Sequence, residues 1–372
     1  MRQVKPLILF LLVLPLGTTL SCVEQPMEPP GAVALQTTVI TQNLQFPWEI
    51  AWGPDNFIWM TEKFGRISRV NPATGVVTPL LDVPLSLGFS GESGLLGMAV
   101  SPDFTRWPYV FIVHTLGPSS TVEMVERYTY SNGALTSPVV IINNIIGNIQ
   151  HDGSRLAIVG DKLFVSTGDA MLVRGADPQS SSSLNGKILR VNFDGSIPAD
   201  NPDPHSLVWS RGHRNPQGLV FANNRLYSTE HGGDDEVNVI KPGKNYGWPL
   251  IDGVAGTPEE IQVAMSDPAM TNPIFSWVPG MAPSGMDYYN NDAIPQWKNS
   301  LLVASLKLES LYDARLNPDN ETVLHVNRYF ISAFHRIRDV CVSPSGDVYM
   351  CTSNGNNQDQ IIRISPVRTG RS

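Results

Sequence analysis

The stretch Ile50-Ala51-Trp52-Gly53-Pro54-Asp55 decides the fold, because it joins an apolar strand to a tight turn and then recurs along the chain. Five further copies keep the order of apolar strand, polar turn and second apolar strand, and they begin near Met98, Leu156, Leu219, Met286 and Val340. A spacing of roughly 45 to 70 residues suits four-stranded propeller blades with inserted loops. The pattern therefore predicts an all-β, six-bladed β-propeller with four-stranded antiparallel blades.

The repeated hairpins also set the domain organisation. They leave no room for long crossover helices, which argues against a doubly wound parallel sheet. Radial repetition buries one continuous stack of sheets, so we predict a single propeller domain over residues 35–366 of the 372-residue chain. Residues 367–372 are then a C-terminal tail.

The composition agrees with a turn-rich β-protein and argues against a nucleic-acid partner. The formal net charge is -8, only 16% of the residues are charged, and the chain contains 31 glycines and 30 prolines. No basic run rises above this acidic balance, so we expect no attraction to nucleic-acid phosphates.

The first residues predict export. Two basic residues precede an apolar stretch, residues 6–16, that is too short to span a bilayer and is typical of a signal peptide. We predict a lipoprotein-type signal peptide over residues 1–21, a lipid anchor at Cys22 and a flexible tether over residues 22–34. The expected location is the periplasm, or a bacterial membrane reached through that anchor. An ordinary signal peptide with an incidental cysteine is the alternative.

Two polar loops near the middle of the chain predict a ligand site. The heptapeptide Gly212-His213-Arg214-Asn215-Pro216-Gln217-Gly218 is followed, one short hairpin later, by Glu230-His231-Gly232-Gly233-Asp234-Asp235-Glu236. A half-buried guanidinium needs an anionic partner, and glycine carbonyls beside carboxylates suit a hard cation such as calcium. The two loops therefore predict an anionic ligand together with Ca²⁺.

A histidine at the third repeat is a candidate general base. His151 precedes the repeat, and Asp169 follows the strand that returns beside it. A carboxylate on one ring nitrogen fixes the tautomer and leaves the other nitrogen basic, as a general base requires. The alternative is a surface histidine bonded within its own turn.

Further charged side chains complete the candidate set. Arg336 and Arg338 lie two apart, so they point to the same side of an extended segment and repel each other unless an anion lies between them. A local pairing with Asp339 is the alternative. Lys307 and Glu92 each lie in a loop, where a solvated side chain is the alternative for both. Together these groups predict a polyanionic ligand.

These residues, with Gly94-Leu95-Leu96-Gly97 and Asn245-Tyr246-Gly247-Trp248-Pro249, make the chain resemble the soluble quinoprotein glucose and aldose sugar dehydrogenases. The resemblance runs from about Phe46 to Ser353. It implies a six-bladed propeller that binds pyrroloquinoline quinone (PQQ) and Ca²⁺, and that oxidises the anomeric carbon of an aldose to the lactone by hydride transfer to PQQ. It also implies an external electron acceptor, either a quinone or a cytochrome.

The resemblance assigns roles to single residues. His151 corresponds to the general base, Asp169 to the carboxylate that orients it, and Arg214 to the arginine beside the reactive quinone carbonyl. The further cofactor contacts that it implies are Glu92, Asn215, Lys307, Arg336 and Arg338, and the metal ligands that it implies are the backbone carbonyls of Gly232 and Gly233. Glu92 departs from the glutamine of the glucose enzymes, and Gly232-Gly233 replaces a Gly-Pro pair in a loop that is shorter by two residues.

Two other functions stay open at this stage. A non-catalytic calcium-binding propeller could serve as a ligand-binding module, although the His151–Asp169 pair argues against it. A propeller lactonase would leave the arginines without a purpose. Cys341 and Cys351 flank a hairpin turn, where either a cross-strand disulfide or two buried free thiols would fit.

Overall fold

The computed structural model describes residues 31–85, 91–116 and 122–367. The predicted signal peptide and the anchor at Cys22 lie outside the described residues, as do most of the tether and of the C-terminal tail. None of the helices in the described part of the chain is both long and apolar enough to cross a membrane.

Almost all of the regular structure is β-strand. In chain order the strands are β1 (Leu35–Leu44), β2 (Pro47–Trp52), β3 (Ile58–Glu62), β4 (Arg66–Val70), β5 (Val77–Asp82), β6 (Leu95–Val100), β7 (Tyr109–Leu116), β8 (Val122–Ser131), β9 (Ala134–Ile146), β10 (Gly153–Val159), β11 (Lys162–Thr167), β12 (Lys187–Asn192), β13 (Val208–Arg211), β14 (Pro216–Ala222), β15 (Arg225–Glu230), β16 (Asp235–Ile240), β17 (Phe275–Trp277), β18 (Pro283–Tyr289), β19 (Ser300–Ser305), β20 (Ser310–Leu316), β21 (Val323–Tyr329), β22 (Ile337–Val342), β23 (Val348–Thr352) and β24 (Asp359–Pro366). One α-helix, α1 (Pro258–Ser266), lies between β16 and β17, and short 3₁₀ turns cover Ala170–Leu172 and Pro295–Trp297.

The strands form six antiparallel sheets of four strands each, which confirms the predicted propeller. Blades 1 to 5 take their strands consecutively from β2–β5, β6–β9, β10–β13, β14–β17 and β18–β21. Blade 6 combines β22, β23 and β24 with β1 from the start of the chain. Pairing of β1 with β24 closes the ring through backbone hydrogen bonds, with Leu35 opposite Pro366 and Thr38 opposite Arg363.

The first strand of each consecutive set lines the central channel. These inner strands are β2, β6, β10, β14, β18 and β22, and they contain or adjoin the six repeat starts found in the sequence. Hydrophobic clusters fill the spaces between neighbouring blades, and within the described residues each of the six interfaces has one. Each fully buried aliphatic or aromatic side chain in them contributes about 1.5–3 kcal/mol.

The two cysteines lie in the cluster between blades 6 and 1. Cys341 pairs with Tyr349 across the hairpin, and Cys351 pairs with Asp339, so the two thiols are not directly opposite each other. Both are buried and free. The free-thiol alternative is therefore the one that the structure contains.

A buried ion cluster ties the inner strands together across the channel. Arg155 Nη1 lies 2.6 Å from Glu49 Oε2 and 2.9 Å from Asp339 Oδ2. The guanidinium also donates through Nε to the Gln217 carbonyl at 2.9 Å and stacks 4.2 Å from the ring centre of Trp48. Burial raises the pKa of Glu49 to about 8, against the opposing effect of Arg155. Arg155 thus contacts groups from blades 1, 4 and 6.

Candidate active site

The candidate residues share one face of the propeller. Each lies within three residues of the start of an inner strand or of the end of the second strand of a blade. Because these two strands are antiparallel, both positions lie at the same end of every blade. The fold therefore brings together residues as far apart in the sequence as Glu92 and Arg338.

His151 and Asp169 form the contact that the sequence predicted. His151 Nδ1 lies 2.8 Å from Asp169 Oδ1, and Trp248 Nε1 donates to Asp169 Oδ2 at 2.8 Å. The Asp169 side chain is 1% exposed and the imidazole 14% exposed. With Nδ1–H donating to the carboxylate, Nε2 is left as the basic nitrogen, and it forms no hydrogen bond within the described residues.

The backbone around His151 is held in an uncommon conformation. His151 has a φ of +61°, in the left-handed region that most side chains avoid. Its carbonyl accepts a hydrogen bond from Ala170 N at 3.1 Å. A Cβ on Gly168 would lie 1.7 Å from that carbonyl oxygen, so only glycine permits this approach.

The carboxylate of Glu92 connects His151 with blade 4. Glu92 Oε2 accepts hydrogen bonds from His151 N at 2.9 Å, Asn215 Nδ2 at 3.2 Å and Gln217 Nε2 at 3.2 Å. Asn215 Oδ1 in turn accepts from Gly153 N at 3.0 Å. Both side chains thus bond within the protein, and the cofactor contacts expected of Glu92 and Asn215 stay a prediction.

Arg338 is the buried cation of the site. Its Nη1 donates to Gln217 Oε1 at 2.8 Å and to Ser284 Oγ at 3.1 Å, so Gln217 bridges Glu92 and Arg338. Burial lowers the pKa of Arg338 to about 10, and the positive charge of Arg336 adds to the shift while Glu92 opposes it. Arg338 Nε is buried and has no hydrogen-bond partner in the described part of the chain.

Arg214 is held by the second polar loop. Its Nη1 donates to the His231 carbonyl at 3.0 Å, and its guanidinium lies 5.2 Å from the ring centre of Trp248. The adjacent His213 is structural, since it is fully buried between Glu230, at 3.0 Å, and Ser210, at 2.9 Å.

Positive charge at this face comes from Arg214, Lys307, Arg336 and Arg338. Among the described residues no ion pair involves Arg214, Lys307, Arg336 or Arg338. Lys307 and Arg336 are exposed, and Arg338 is buried. The expected local pairing with Asp339 is not formed, because Asp339 bonds Arg155. Unpaired cations around a histidine are the setting for an anionic ligand.

Lys63, a buried basic residue after the second strand of blade 1, was not among the residues predicted from the sequence. Its side chain is 6% exposed, and Nζ donates to the Gly91 carbonyl at 2.5 Å. Burial lowers the pKa of Lys63 to about 8; Arg338 and Arg336 lower it further, and Glu92 and Asp152 act in the opposite direction. Lys63 follows β3 as His231 follows β15. An alignment of the repeats by the ends of their second strands would have placed Lys63 at the same position as His231.

The glycine pair predicted to hold a metal lies beside carboxylates. Gly232 N donates to Asp235 Oδ1 at 3.1 Å and Gly233 N to Asp252 Oδ2 at 2.8 Å, while neither glycine carbonyl accepts a hydrogen bond from the described residues. Burial and the nearby charges of Asp252 and Asp235 raise the pKa of Asp234. No group of three or more His, Cys, Asp or Glu side chains in this part of the chain is arranged to hold a metal ion.

A carboxylate-oriented histidine among arginine and lysine side chains, at the mouth of a six-bladed propeller, defines an enzyme site built for an anionic cofactor. The family described as Glucose / Sorbosone dehydrogenase matches residues 44–363. The chain belongs to this family and is an oxidoreductase, as the resemblance in its motifs implied.

Individual relatives cover most of the chain. Quinoprotein glucose dehydrogenase B of Acinetobacter calcoaceticus is 33% identical and the match covers 86% of this chain and 85% of that protein. Aldose sugar dehydrogenase YliI of Escherichia coli is 30% identical over 88% of this chain and 92% of its own length. The PQQ-bound aldose sugar dehydrogenase of Streptomyces coelicolor superposes with a TM-score of 0.75 at 29% identity, covering 90% of this chain and 98% of that one.

Proposed function

We propose that this protein is a PQQ- and calcium-dependent aldose dehydrogenase that oxidises the anomeric carbon of the sugar to the lactone. The observation that carries the proposal is the 2.8 Å contact between His151 Nδ1 and Asp169 Oδ1. It lies at the same face as Arg214, Lys307, Arg336 and Arg338, which form no ion pair among the described residues. The names of two relatives, a quinoprotein glucose dehydrogenase and a PQQ-bound aldose sugar dehydrogenase, support the cofactor and the substrate class.

The residues present fit a tricarboxylate such as PQQ. Arg338 offers a buried Nε–H that lacks an acceptor among the described residues, and an unsatisfied buried donor is costly unless a ligand supplies the acceptor. Arg214, Lys307 and Arg336 supply further positive charge at the same face. Arginine is well suited to this task because its planar fork binds carboxylates in a bidentate manner.

Calcium fits the loop after β15. Hard cations prefer oxygen ligands, and the carbonyls of Gly232 and Gly233 accept no hydrogen bond from the described residues. The neighbouring carboxylates of Asp234 and Asp252 add negative potential around this loop. We therefore assign the two carbonyls to the ion.

The chemistry divides between cofactor and protein. When bound, PQQ supplies an electrophilic quinone that accepts the hydride from the sugar carbon. His151 Nε2 removes the proton of the anomeric hydroxyl, and Asp169 stabilises the imidazolium that results. Arg214, held by the His231 carbonyl, stabilises negative charge that develops beside it. Glu92 positions His151 by accepting its backbone N–H, Asn215 bonds Glu92, and both also contact the cofactor in this proposal.

Two further assignments complete the proposal. An external quinone or cytochrome takes the electrons away after each turnover. The protein is exported and anchored through a lipid on Cys22; mass spectrometry of the mature N-terminus tests this, and an unmodified first residue would contradict it.

Substitution of the proposed base tests the function directly. We expect His151→Ala, reconstituted with PQQ and Ca²⁺, to lose roughly 10² to 10⁴ in turnover of aldoses with a dye acceptor, while the absorption spectrum of the bound quinone is kept. His205→Ala, on an exposed histidine far from this face, is the matched control. Near-normal turnover by His151→Ala would show that another group is the base.

A further inference from the structure

A buried lysine at the catalytic face takes no part in the proposed chemistry. Lys187 is the first residue of β12, where it pairs with Thr167 at the end of β11, and it is fully buried. Among the described residues no ion pair involves it. Lysine is almost never fully buried without a partner, so the groups around its ammonium require an explanation.

Three backbone carbonyls take the place of a counterion. Lys187 Nζ donates to three oxygens, which we call the carbonyl cradle: those of Asp177 at 2.8 Å, Pro178 at 2.9 Å and Asn185 at 2.7 Å. An ammonium group has three N–H donors on a single atom, so all of them are used. The loop of residues 168–186, between β11 and β12, is thus gathered around one cation.

One side of the carbonyl cradle is bonded to the backbone that presents Asp169. Asn185 Nδ2 donates to the Gly168 carbonyl at 3.1 Å, and Gly186 N donates to the same carbonyl at 2.8 Å. Gly168 directly precedes Asp169, the carboxylate that bonds His151. The position of Asn185 therefore determines where the chain stands immediately before this carboxylate.

The other side of the cradle leads to the same carboxylate through blade 4. The Pro178 carbonyl also accepts from Gly212 N at 3.0 Å, at the start of the loop that carries the proposed cofactor contacts. Gln179 Nε2 donates to the Trp248 carbonyl at 2.7 Å, and Trp248 Nε1 donates to Asp169 Oδ2 at 2.8 Å. Both oxygens of Asp169 are thus oriented by groups that the cradle supports.

We propose that Lys187 is a positioning residue for the reaction: its ammonium holds the carbonyl cradle together, and the cradle keeps Asp169 directed at His151 Nδ1. This inference rests on the proposed function, in which His151 is the general base. Lys187 contacts none of the reacting groups and transfers no proton. Without the ammonium, three carbonyl oxygens lose a charged donor, so the loop shifts and the contact between Asp169 and His151 weakens.

Rescue by a small amine tests this role. We expect Lys187→Ala, with PQQ, Ca²⁺ and glucose at saturation, to lower kcat by roughly ten- to a hundredfold, because small displacements of catalytic groups have effects of this size. The n-propylammonium ion replaces the atoms that the substitution removes, so it should restore kcat in a saturable manner. Propan-1-ol has the same number of heavy atoms but only one donor, and it should restore little.

The conditions and the control follow from the surroundings of the ammonium. Burial lowers the pKa of Lys187 to about 7, while Asp177 opposes this shift and Arg211 adds to it. The rates are therefore compared at about pH 6, where the wild-type side chain and the added amine both carry charge. Lys298→Ala, on an exposed lysine paired with Asp292, is the matched control, and it should keep kcat with or without the amine.

A measurement without turnover separates this inference from the proposed function. In the apoprotein, the proton on His151 Nδ1 should give a low-field nuclear magnetic resonance signal, because its hydrogen bond to a carboxylate is strong; His151→Ala assigns the signal. We expect it to broaden in Lys187→Ala and to return with n-propylammonium. The signal of His114, whose Nε2 lies 3.0 Å from Glu126 Oε2 in blade 2, should not change.

Either a normal kcat or an unchanged His151 signal in Lys187→Ala would overturn the inference. Equal rescue by propan-1-ol would also overturn it, because the cradle would then need only to be filled. If Lys187→Ala does not fold, Gln179→Ala removes the contact with Trp248 and keeps the ammonium, and an unchanged His151 signal in that variant would contradict the proposal. If the wild-type protein oxidises no aldose, the proposed function fails, while the His151 signal still shows whether Lys187 positions Asp169.

Discussion

Glu92 joins two parts of the site that lie far apart in sequence. One of its oxygens accepts the N–H of His151 and the amide of Gln217, and Gln217 in turn accepts from Arg338. The proposed base and the buried arginine are thus held by a single carboxylate. A glutamine at this position, as in the glucose enzymes, would have one amide oxygen for these donors and would lack the charge.

Substitution of Glu92 should therefore affect catalysis and cofactor binding together. We expect Glu92→Ala to lower kcat about a hundredfold, because buried donors lose their acceptor at a cost of about 1–3 kcal/mol each. Glu92→Gln should lower kcat only about tenfold, because its amide oxygen still accepts from these donors but lacks the charge. The Kd for PQQ, followed by quenching of tryptophan fluorescence, should rise in both. Glu259→Gln on the exposed surface of α1 is the control. If the alanine variant keeps the kcat and the Kd for PQQ of the wild type, Glu92 has no role in catalysis or cofactor binding.

We expect Lys63 to make the affinity for an anionic cofactor depend on pH. Its pKa of about 8 without a bound anion reflects burial and the repulsion of Arg338 and Arg336, opposed by Glu92 and Asp152. A bound carboxylate stabilises the charged form, so binding takes up a proton above pH 8. The affinity for PQQ should then fall by up to about tenfold per pH unit between pH 8 and 10. It should be nearly constant from pH 6 to 7.

Two variants separate Lys63 from its neighbours. Lys63→Arg keeps a permanent charge, so its affinity for PQQ should stay high and nearly constant between pH 8 and 10. Lys63→Met carries no charge, so its affinity should be low and nearly constant over the same range. Burial also raises the pKa of Asp152 to about 8, so Asp152→Asn is needed to remove its titration from the same range. If the affinity for PQQ falls equally with pH in the wild-type and Lys63→Arg proteins, Lys63 is not the titrating group.

At the level of strands and loops, the sequence predicts what is local. The period-2 alternation and turn residues locate the inner strands, and the hairpin from Leu219 to Tyr227 pairs as expected, with Val220 opposite Tyr227. The meeting of His151 and Asp169 also follows from one hairpin. Lys63 and Arg155 were missed because their surroundings come from blades that are distant in the sequence, and no local pattern marks those contacts.

The turn that carries Asp169 requires a glycine beside it. We expect Gly168→Ala to destabilise the fold by about 1–3 kcal/mol through overpacking, because the new methyl group would lie 1.7 Å from the His151 carbonyl oxygen. Displacement of His151 should also reduce kcat by more than tenfold, measured with PQQ and calcium at saturation. Gly256→Ala, where the new Cβ would lie 3.7 Å from the Val254 carbonyl oxygen, is the control. A variant with normal kcat would mean that the loop adapts.

The whole ring depends on the ion cluster in its channel. Arg155 connects Glu49 of blade 1 and Asp339 of blade 6 with the Gln217 carbonyl of blade 4, and all of these groups are buried. Removing the guanidinium leaves two carboxylates close together with no cation between them. Removing one partner of a buried ion pair destabilises the fold more than removing both partners, because the remaining charge stays buried without a counterion.

Arg155→Met should therefore lower the free energy of unfolding by about 3–5 kcal/mol at pH 8, measured by urea denaturation. Burial already raises the pKa values of Glu49 and Asp339. A carboxyl group whose pKa is higher in the folded than in the unfolded state destabilises the fold at any pH above its unfolded pKa. This destabilisation disappears as the pH falls below that value. Arg155→Met should thus lose less free energy of unfolding at pH 5 than at pH 8. Adding Glu49→Gln and Asp339→Asn to Arg155→Met should restore part of the stability at pH 8. If Arg155→Met instead loses the same free energy of unfolding at pH 5 and pH 8, the cluster acts through packing rather than charge.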